Sequence, residues 1–503
     1  MARNVIESPS RALSEYVILP GYTGKGTGPE TVSMSAPLVA YREGEEPRIR
    51  LKRSLMSAAM QAVTGPALAI ALAQQGGLGV IYCSQPIDAQ AGMVRDVKRF
   101  KGGFVVPEVF SPESRIYEVI ERRNRRGYST FPVTEDGTPG GRLLGLVTKN
   151  DFDDEYHREK TVRERMIPAE GLYTVRELEV GGDLRAADRM LRESHHGSLI
   201  VVDDEGRLRY MVFKKDIRQH MDNPHEMVDG KKRYMVGAAF NTRDFTERVP
   251  EVMREEPDVL FTDTSQGFTK YVAEAVRYVK DHYDVPVIGG NVVTKEGFEF
   301  LAGLGVDGVK VGMGPGSICI TIEQTGVGRG QGTAIGEVCR ARDDFRSKNS
   351  RYVPVIADGG VVVAKDITVA YALGADAVMM GRYFVGCDES NSPIVSSRRQ
   401  RRSVKLYWGE GSEKARAWRE GRYNQSDFPE GVVSEVDLAG PLKEHMMETL
   451  YKVEGGMRKA GCMSIGELHE KAVLQVHSML SVREAGAHDV AVVSDDDNPG
   501  DRK

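Results

Sequence analysis

Short apolar runs alternate with helix-length amphipathic segments along much of the chain. The apolar runs predicted as strands cover residues 54–60, 77–82, 235–240, 258–264, 286–292, 308–314, 354–360 and 377–384. Segments such as 65–75 and 271–283 lie between them and have apolar residues at helical spacing. Almost wholly apolar strands are typical of a parallel sheet covered by helices. The pattern predicts an α/β fold, and eight units favour a (β/α)8 TIM barrel over an open doubly wound sheet.

The barrel pattern stops between residues 101 and 225, where two weakly similar halves follow one another. The halves span residues 117–152 and 186–217, and each predicts a helix, a strand, an acidic turn, a strand and the start of another helix. Two copies of one small unit predict an inserted module, with a barrel formed by residues 1–100 and 226–503. The pair resembles tandem CBS modules, which in many proteins bind adenine or guanine nucleotides. Phe213 stands where the first copy has Thr148, so two such nucleotide sites would be unequal.

A long polar stretch at residues 388–435, rich in Arg and Gly, predicts a mobile flap within the barrel domain. The last ten residues, 494–503, are acidic and polar and predict a disordered tail.

The charge balance and cysteine usage narrow the possible partners. The formal net charge of −5 makes nucleic acid an unlikely main partner, and no apolar run is long enough to predict a membrane span. The N-terminal residues lack the apolar core of a signal peptide. Five widely spread cysteines fit a reducing compartment, so a cytoplasmic location is expected.

The strongest chemical signal is the segment GMGPGSICITIEQTGVGRGQG at residues 312–332, directly after a predicted strand. Its glycines permit tight turns that turn backbone groups toward a ligand, and Ser317 adds a hydroxyl group. Cys319 then lies at the carboxyl end of a barrel strand, where barrel enzymes place catalytic groups. This context favours a nucleophilic thiol at Cys319, whereas the other four cysteines are expected to be buried apolar residues.

Two later loops predict a phosphate site. ADGG at residues 357–360 follows the seventh predicted strand, and Gly381 with Arg382 lies at the end of the eighth. In this fold, backbone amides after strands seven and eight commonly hold phosphate. Asp358 is an acceptor that suits ribose hydroxyls.

Several motifs together resemble one family. GSICIT around Cys319, ADGG, MMGR at 379–382, YWGEGS at 407–412, SAAMQAVTG at 57–65 and EAGAHDV at 484–490 are similar to the inosine monophosphate (IMP) dehydrogenase / guanosine monophosphate (GMP) reductase family. The similarity runs from about residue 12 to residue 490. It implies a purine nucleotide substrate, NAD as cofactor, and attack of Cys319 on C2 of the hypoxanthine of IMP. Hydride would pass from C2 to NAD, and water would release xanthosine monophosphate.

The resemblance also implies binding roles. The implied substrate contacts are Met60, Ser317, Asp358, Gly359, Gly360, Gly381, Arg382, Tyr407, Gly409, Glu410, Gly411 and Glu430. The implied cofactor contacts are Asp263, Ser265, Asn291, Gly312, Met313 and Gly314, with Arg243 and Tyr271 flanking the adenosine. A potassium ion would be held by Gly314, Gly316 and Cys319 and by Glu484, Ala485 and Gly486 of a neighbouring subunit. Such sharing implies a homo-oligomer, with a tetramer expected.

Hydrolysis needs a group that activates water. Arg422 and Tyr423 resemble the family's flap dyad, and Arg422 is assigned this role by resemblance. Arginine is an unusual base because its pKa exceeds about 12. Thr321 with Glu430 is the alternative proton relay.

Two departures from the family pattern leave the contacts to the base open, and two alternative functions remain. The usual basic-Pro-Gln stretch is replaced by Arg329, Gly330 and Gln331, and Glu410 stands where Met is common. GMP reductase is the nearest rival, but the Arg422–Tyr423 pair favours a dehydrogenase. A nucleotide sensor on an inactive barrel is the other, and intact Cys319 and Asp358 argue against it.

Overall fold

A computed structural model describes residues 5–24, 27–100, 103–181, 183–397, 401–416 and 428–486. Up to residue 100, its strands are β1 Tyr16–Ile18, β2 Ala36–Pro37, β3 Tyr41–Arg42, β4 Arg50–Leu51, β5 Leu55–Ser57 and β6 Leu78–Ile81. The helices of this part are α1 Pro66–Gln74 and α2 Ile87–Lys98.

The middle of the chain contains short strands and helices. The strands are β7 Phe104–Val105, β8 Thr130–Thr134, β9 Leu143–Thr148, β10 Ile167–Pro168, β11 Thr174–Arg176, β12 Ser198–Val202 and β13 Leu208–Phe213. The helices are α3 Ile116–Arg126, α4 Val162–Arg165, α5 Glu177–Val180, α6 Leu184–Glu193 and α7 Lys214–Met221.

From residue 237 onward, strands and helices alternate regularly before a final antiparallel and helical region. The strands are β14 Gly237–Phe240, β15 Val259–Thr262, β16 Val287–Val292, β17 Gly308–Val311, β18 Arg351–Tyr352, β19 Val355–Asp358, β20 Ala377–Met380, β21 Ile394–Ser396, β22 Ser403–Trp408, β23 Val433–Asp437 and β24 Leu474–Val476. The helices are α8 Phe245–Met253, α9 Lys270–His282, α10 Lys295–Gly303, α11 Thr321–Thr325, α12 Gln331–Asn349, α13 Ala364–Ala372, α14 Arg382–Val385, α15 Glu413–Arg416, α16 Leu442–Lys459, α17 Ile465–Lys471 and α18 Met479–Glu484.

Eight parallel strands close into a barrel, which confirms the predicted fold class. Their order is β5, β6, β14, β15, β16, β17, β19 and β20, and β20 pairs back onto β5. Each predicted apolar run contains one of these strands, but the observed strands are shorter. The run predicted at 377–384 shows why: β20 ends at Met380, and α14 begins at Arg382 on the other side of Gly381. The residues beyond each strand leave the ladder to build the loops of the site.

The barrel and its helices share one continuous apolar core. Phe240, Phe261 and Phe298 are almost fully buried in it, as are most Val and Ile residues of the barrel strands. Burying each large apolar side chain contributes about 1.5–3 kcal/mol relative to leaving it exposed. This core gives the loops at the carboxyl ends of the strands a rigid support.

The segment inserted after α2 folds around cores of its own. One apolar cluster lies in its first half, a second in its second half, and a third joins the halves through Leu143, Leu146 and Met211. Strands β8, β9 and β10 form one sheet, and β7, β11, β12 and β13 form another.

The helix predicted at the end of the first half is wrong. After β9 the chain forms turns, whereas the second half continues from β13 directly into α7. The carboxylate of Asp151 accepts a hydrogen bond from the backbone N–H of Thr148, and that of Asp153 accepts one from Glu155. Side chains that bond locally to the backbone in this way favour turns over a helix.

The predicted flap at 388–435 is also not simply a loop. Strands β21, β22 and β23 form an antiparallel sheet within and just beyond it. Val404, Lys405 and Trp408 of β22 are buried, and the ammonium group of Lys405 bonds to the carbonyls of Cys387 and Asp388. Part of this polar segment is therefore folded against the barrel domain. In the ranges that the structure describes, no helix is long and apolar enough to cross a membrane.

Candidate active site

A cavity of about 320 Å³ opens at the carboxyl ends of the barrel strands. This position and size suit a small-molecule site in a TIM barrel. The predicted site residues that line it are Met60, Asp263, Ser265, Asn291, Gly312, Met313, Gly314, Gly316, Cys319, Thr321, Asp358, Gly359, Gly381, Tyr407, Gly409, Glu410, Gly411 and Glu430. Residues from eight different loops and strands of the sequence therefore meet in one place.

The loop after β17 brings Cys319 into the cavity. Gly312 and Gly314 have φ angles of +144° and +87°, which residues with a Cβ rarely adopt. A Cβ at Gly312 would collide with the carbonyl oxygen of Asp358, so the loop and β19 touch through their backbones. The backbone N–H of Cys319 donates to the carbonyl of Gly316 at 3.1 Å, and the short helix α11 begins two residues later.

The thiol of Cys319 belongs to a chain of three polar groups. Its Sγ lies 3.2 Å from Oγ1 of Thr321, and that hydroxyl donates to Oε2 of Glu430 at 2.9 Å. Because the single hydroxyl proton of Thr321 is used toward Glu430, a hydrogen bond between Cys319 and Thr321 requires the thiol to be the donor. The arrangement connects Cys319 to a carboxylate through one hydroxyl, which is the geometry of a proton relay.

The segment after residue 427 holds this relay in place. Cys319 forms a β-bridge with Gly431, and the backbone N–H of Ile320 donates to the carbonyl of Glu430 at 3.0 Å. The N–H of Val432 donates to the carbonyl of Ile318 at 3.1 Å. The two loops are thus paired as a short antiparallel ladder.

Asp358, at the end of β19, is fixed from two neighbouring strands. Its Oδ2 accepts a hydrogen bond from Nδ2 of Asn291 at 3.0 Å and lies 3.3 Å from Nζ of Lys310. Its main-chain carbonyl accepts from Nε2 of Gln331 at 3.1 Å. The aspartate predicted to bind ribose is therefore held rigidly inside the cavity.

Tyr407 and Gly381 lie against each other at the end of the cavity predicted to hold phosphate. A Cβ on Gly381 would lie 2.5 Å from the Tyr407 hydroxyl oxygen, so only glycine fits there. Burial, together with the charge of Asp358, raises the pKa of Tyr407, so its hydroxyl stays neutral and can donate a hydrogen bond.

Glu410 is bound to the protein by both carboxylate oxygens. One accepts from the backbone N–H of Gln61 at 2.7 Å, and the other from the Ser84 hydroxyl. Gln61 in turn accepts a hydrogen bond from the indole of Trp408 at 3.1 Å. The residue that replaces the common Met therefore ties the 409–411 loop to the loops after β5 and β6.

Asp263 lines the cavity on its predicted cofactor side, directly after β15. Its Oδ2 accepts a hydrogen bond from the thiol of Cys83 at 3.2 Å. Burial raises the pKa of Cys83, and the nearby carboxylate adds to this, so the thiol stays protonated as a donor.

Some predicted contacts do not line the cavity. Ser317 is exposed, and neither Gly360 nor Arg382 is among the lining residues. Gly360 packs instead against Pro315, and a Cβ on Gly360 would lie 3.1 Å from the Pro315 side chain.

Arg243 and Tyr271, the predicted adenosine contacts, also lie outside the cavity lining. Tyr271 is 56% exposed at the start of α9, with the Lys270 ammonium group 5.0 Å from its ring centre. Arg243 follows β14, and Tyr271 lies in the helix after β15. Arg422 and Tyr423, the predicted flap dyad, lie outside the described residues.

The predicted potassium ligands lie on two separate segments. The carbonyl of Gly316 already accepts a bond from Cys319, and Glu484 ends α18, which packs near Leu13–Glu15. Of the five cysteines, Cys319 is half-buried and the other four are buried, as expected. Burial raises the pKa of Cys339 and of Cys387 to about 12, which leaves both thiols unreactive.

Sequence reasoning missed several residues of the site. Lys310, Ile318, Ala58, Thr264 and Pro315 line the cavity, and Gln61 and Ser84 support it. Lys310 carried a signal, since it is the one charged residue in the apolar strand GVKV.

The fold and site first define a class: a TIM-barrel protein with a relay-linked cysteine on a glycine-rich loop that faces a nucleotide-sized cavity. Comparison with known proteins narrows this class. A model of the IMP dehydrogenase / GMP reductase domain matches residues 12–488. The chain therefore belongs to the IMP dehydrogenase / GMP reductase family, and it is an oxidoreductase.

Individual relatives agree with this assignment. Inosine-5'-monophosphate dehydrogenase of Tritrichomonas foetus is 41% identical, covering 96% of this chain and 97% of that protein. The enzyme of the same name from Escherichia coli K12 is 37% identical over 90% and 91% of the two chains. A solved GMP reductase from Trypanosoma brucei, a Cys-to-Ala variant with guanosine 5'-monophosphate, superposes with a TM-score of 0.75 at 26% identity, covering 96% of this chain and 98% of that one.

Proposed function

We propose that this chain oxidises inosine 5'-monophosphate to xanthosine 5'-monophosphate with NAD, through a covalent bond between Cys319 and C2 of the purine. The observation that carries the proposal is the relay from Cys319 through Thr321 to Glu430, which faces the same cavity as Asp358. The high identity to proteins named IMP dehydrogenase supports the same reaction.

The residues suggest how the nucleotide is held. Tyr407 and the backbone of Gly381 lie at the phosphate end, and Asp358 offers a carboxylate to the ribose. The base would then lie near Met60 and the 409–411 loop, within reach of Cys319. Because Glu410 is bound to Gln61 and Ser84, the loop meets the base chiefly through its backbone.

Proton movement follows from the relay. As the sulfur bonds to C2, its proton passes to Thr321, whose own proton moves to Glu430. Asp263, Ser265 and Asn291 line the side of the cavity where NAD would be held, and NAD when bound would supply the acceptor for the hydride of C2. After Glu430 has released this proton to solvent, the same relay can accept one proton from the attacking water and return it to the Cys319 sulfur as the C–S bond breaks. Arg422, paired with Tyr423, is the proposed water activator.

An absorbance assay at the NADH band tests this function. Purified protein with IMP and NAD should produce NADH and xanthosine monophosphate, whereas GMP with NADPH should give no nucleotide-dependent change. Cys319→Ala, which keeps the fold, serves as the matched control. Consumption of NADPH with GMP and no reaction with IMP would instead assign the reductase activity.

We further propose a potassium ion at the carbonyls of Gly314, Gly316 and Cys319, completed by Glu484, Ala485 and Gly486 of a neighbouring subunit in a tetramer. Main-chain carbonyls on the positive-φ glycine loop support this site. The exposed side chains of Met479 and Leu480, beside residues 484–486, support a subunit contact there. Activation by potassium chloride against sodium chloride, with the mass measured by light scattering, tests both. A cytoplasmic location is proposed on the five unpaired cysteines.

The inserted segment is proposed to act as a CBS-type module that binds purine nucleotide effectors. A second cavity of about 320 Å³ lies where it meets the barrel, lined by Phe100, Tyr128, Phe213, Lys215 and Asp216 among others. Aromatic rings, an ammonium group and a buried carboxylate suit a base, a phosphate and a ribose. Titration calorimetry with ATP and GTP should give binding that Asp216→Ala removes, while Asp204→Ala, an exposed change, leaves it intact.

A further inference from the structure

Lys310 carries a charge into the interior of the barrel. It lies on β17, is 6% exposed, and lines the cavity beneath Asp358. The strand on which it stands, GVKV, is otherwise apolar and buried. A buried ammonium group is costly unless it is paired, and a buried ion pair is often no more stabilising than apolar residues of similar size. Stability alone therefore does not explain a lysine at this position.

The neighbouring strand is shaped to admit this side chain. A Cβ on Gly290 would lie 2.6 Å from Cβ of Lys310, so only glycine leaves room for the lysine stem. The backbone of Gly290 is fixed by the hydroxyl of Thr262, which accepts from its N–H at 2.9 Å and donates to its carbonyl at 3.0 Å. The space for Lys310 is thus built into the barrel.

The partner of the ammonium group is the predicted ribose acceptor. Nζ of Lys310 lies 3.3 Å from Oδ2 of Asp358, and Nδ2 of Asn291 donates to the same oxygen at 3.0 Å. Asn291 is itself fixed by a second bond from Nδ2 to the carbonyl of Gly312 at 2.9 Å. In the described part of the chain, both hydrogen bonds to the Asp358 carboxylate are made to this one oxygen.

We propose that Lys310 is a positioning residue for nucleotide recognition. By occupying Oδ2 together with Asn291, it fixes the Asp358 carboxylate and turns Oδ1 toward the two ribose hydroxyls. This inference rests on the proposed function, because it takes a ribonucleotide as the ligand of the cavity. It assigns to Lys310 an effect on selectivity for the ribose, exerted only through Asp358.

The test compares two nucleotides by titration calorimetry, with every variant built on Cys319→Ala so that no turnover occurs. IMP has both ribose hydroxyls, and 2',3'-dideoxyinosine 5'-monophosphate has neither. With Lys310 intact, IMP should bind about tenfold to hundredfold more tightly, the range expected for hydrogen bonds to a charged group. Lys310→Met should remove most of this preference by weakening IMP alone, and Lys310→Arg should restore much of it.

A double-mutant cycle separates positioning from a general structural effect. In the Asp358→Ala background, Lys310→Met should change IMP affinity by less than about twofold, because the two residues act through one contact. Equal weakening of both nucleotides by Lys310→Met, or additive losses in the cycle, would overturn the proposal. If Lys310→Met does not fold, Lys310→Gln provides the same comparison with a neutral donor, and an unchanged ribose preference in it also overturns the proposal.

Steady-state kinetics of variants that keep Cys319 provide a second measurement. Lys310→Met with Cys319 present should raise the KM for IMP and leave the KM for NAD unchanged. A rise in the KM for NAD alone would place Lys310 on the cofactor side and contradict its role at the ribose. If IMP fails to bind even when Lys310 is intact, the proposed function fails first, and the two failures are thereby distinguished.

Discussion

The barrel and the inserted module differ in where their ion pairs lie. The barrel domain contains largely buried pairs, such as Lys310 with Asp358 and Lys98 with Asp258, as well as exposed ones. In the module, pairs such as Arg163 with Glu113 and Arg209 with Glu177 lie at the surface. Exposed pairs contribute little to stability, whereas buried pairs fix geometry and are costly to break.

Their apolar cores differ in the same direction. One continuous core supports the barrel and all its loops, while three small clusters support the module. The precise geometry of the site therefore comes from the barrel domain alone. The module should influence the reaction only through its junction with the barrel.

The largest effect is expected at the barrel's nucleophile. Cys319→Ala should lower turnover by at least about four orders of magnitude, because Cys319 is the one thiol among the described residues that line the cavity. IMP binding, measured by calorimetry, should remain, since Asp358 and Tyr407 are unchanged. Mass spectrometry of the wild-type protein during turnover should find the purine on the Cys319 peptide. Cys462→Ala, a buried cysteine away from the cavity, is the control and should remain active.

An active Cys319→Ala protein, or an adduct found on another residue, would contradict the covalent mechanism.

The next effect concerns Arg422, the proposed water activator. Arg422→Ala should keep a burst of NADH close to one per active site, because hydride transfer needs only Cys319 and its relay. Steady-state turnover should fall by roughly two to four orders of magnitude, the range for a lost general base. Stopped-flow absorbance with acid quenching measures both, and Glu430→Gln should add a further loss if the relay acts as the reserve.

Loss of the burst in Arg422→Ala would show that this residue serves binding or hydride transfer.

Sequence patterns predicted the barrel well because buried parallel strands leave a strong local signal. Each predicted run contains an observed strand, since long apolar stretches between helices have few alternatives. The segment at 388–435 was mistaken for a loop because an antiparallel sheet with exposed faces, as in β23, has little apolar periodicity. The helix prediction at the end of the first module half failed for a similar reason, because the turn at Asp151 depends on a local hydrogen bond from its side chain.

The site was predicted in outline, with only some of its pairings. Glycines and Cys319 stood out because their spacing is local, and Thr321 was paired with Glu430 in advance although the two residues are 109 positions apart. Gln61 and Ser84 had no distinctive pattern, because their roles arise only when three loops meet. Lys310 was visible as a charge in an apolar strand, but its partner was not.

A smaller effect should separate the two cores. Leu301→Ala in α10 and Leu191→Ala in α6 remove equally buried side chains from the barrel and the module. Each should lower the local free energy of unfolding by about 2–5 kcal/mol. On heating, IMP oxidation should be lost at a lower temperature in Leu301→Ala and at the wild-type temperature in Leu191→Ala. Calorimetry of Leu191→Ala should show a shift in a different unfolding transition. Equal loss of activity on heating would mean that the two parts unfold together.

The smallest effect on chemistry is expected from removing the module. The backbone N–H of Tyr234 donates to the carbonyl of Phe100 at 3.0 Å, so the chain leaves and re-enters the barrel at one place. Gly103 and His220, which flank the segment to be removed, also lie close together, since a Cβ on Gly103 would be 3.6 Å from the His220 ring. Residues 220–234 should be kept, because the backbone N–H of Met227 bonds to the carbonyl of Ala73 and Glu226 is buried against the barrel.

Replacing residues 104–219 with a short Gly/Ser linker should therefore leave turnover within about twofold, since a domain with its own core can be removed without unfolding its host. Purine nucleotides that alter the activity of the full chain should have no effect on this shortened protein. Steady-state assays with and without ATP or GTP, alongside circular dichroism to establish folding, measure both outcomes. A folded but inactive deletion protein would show that the module also supports the site, and the separation drawn between the two regions would then be wrong.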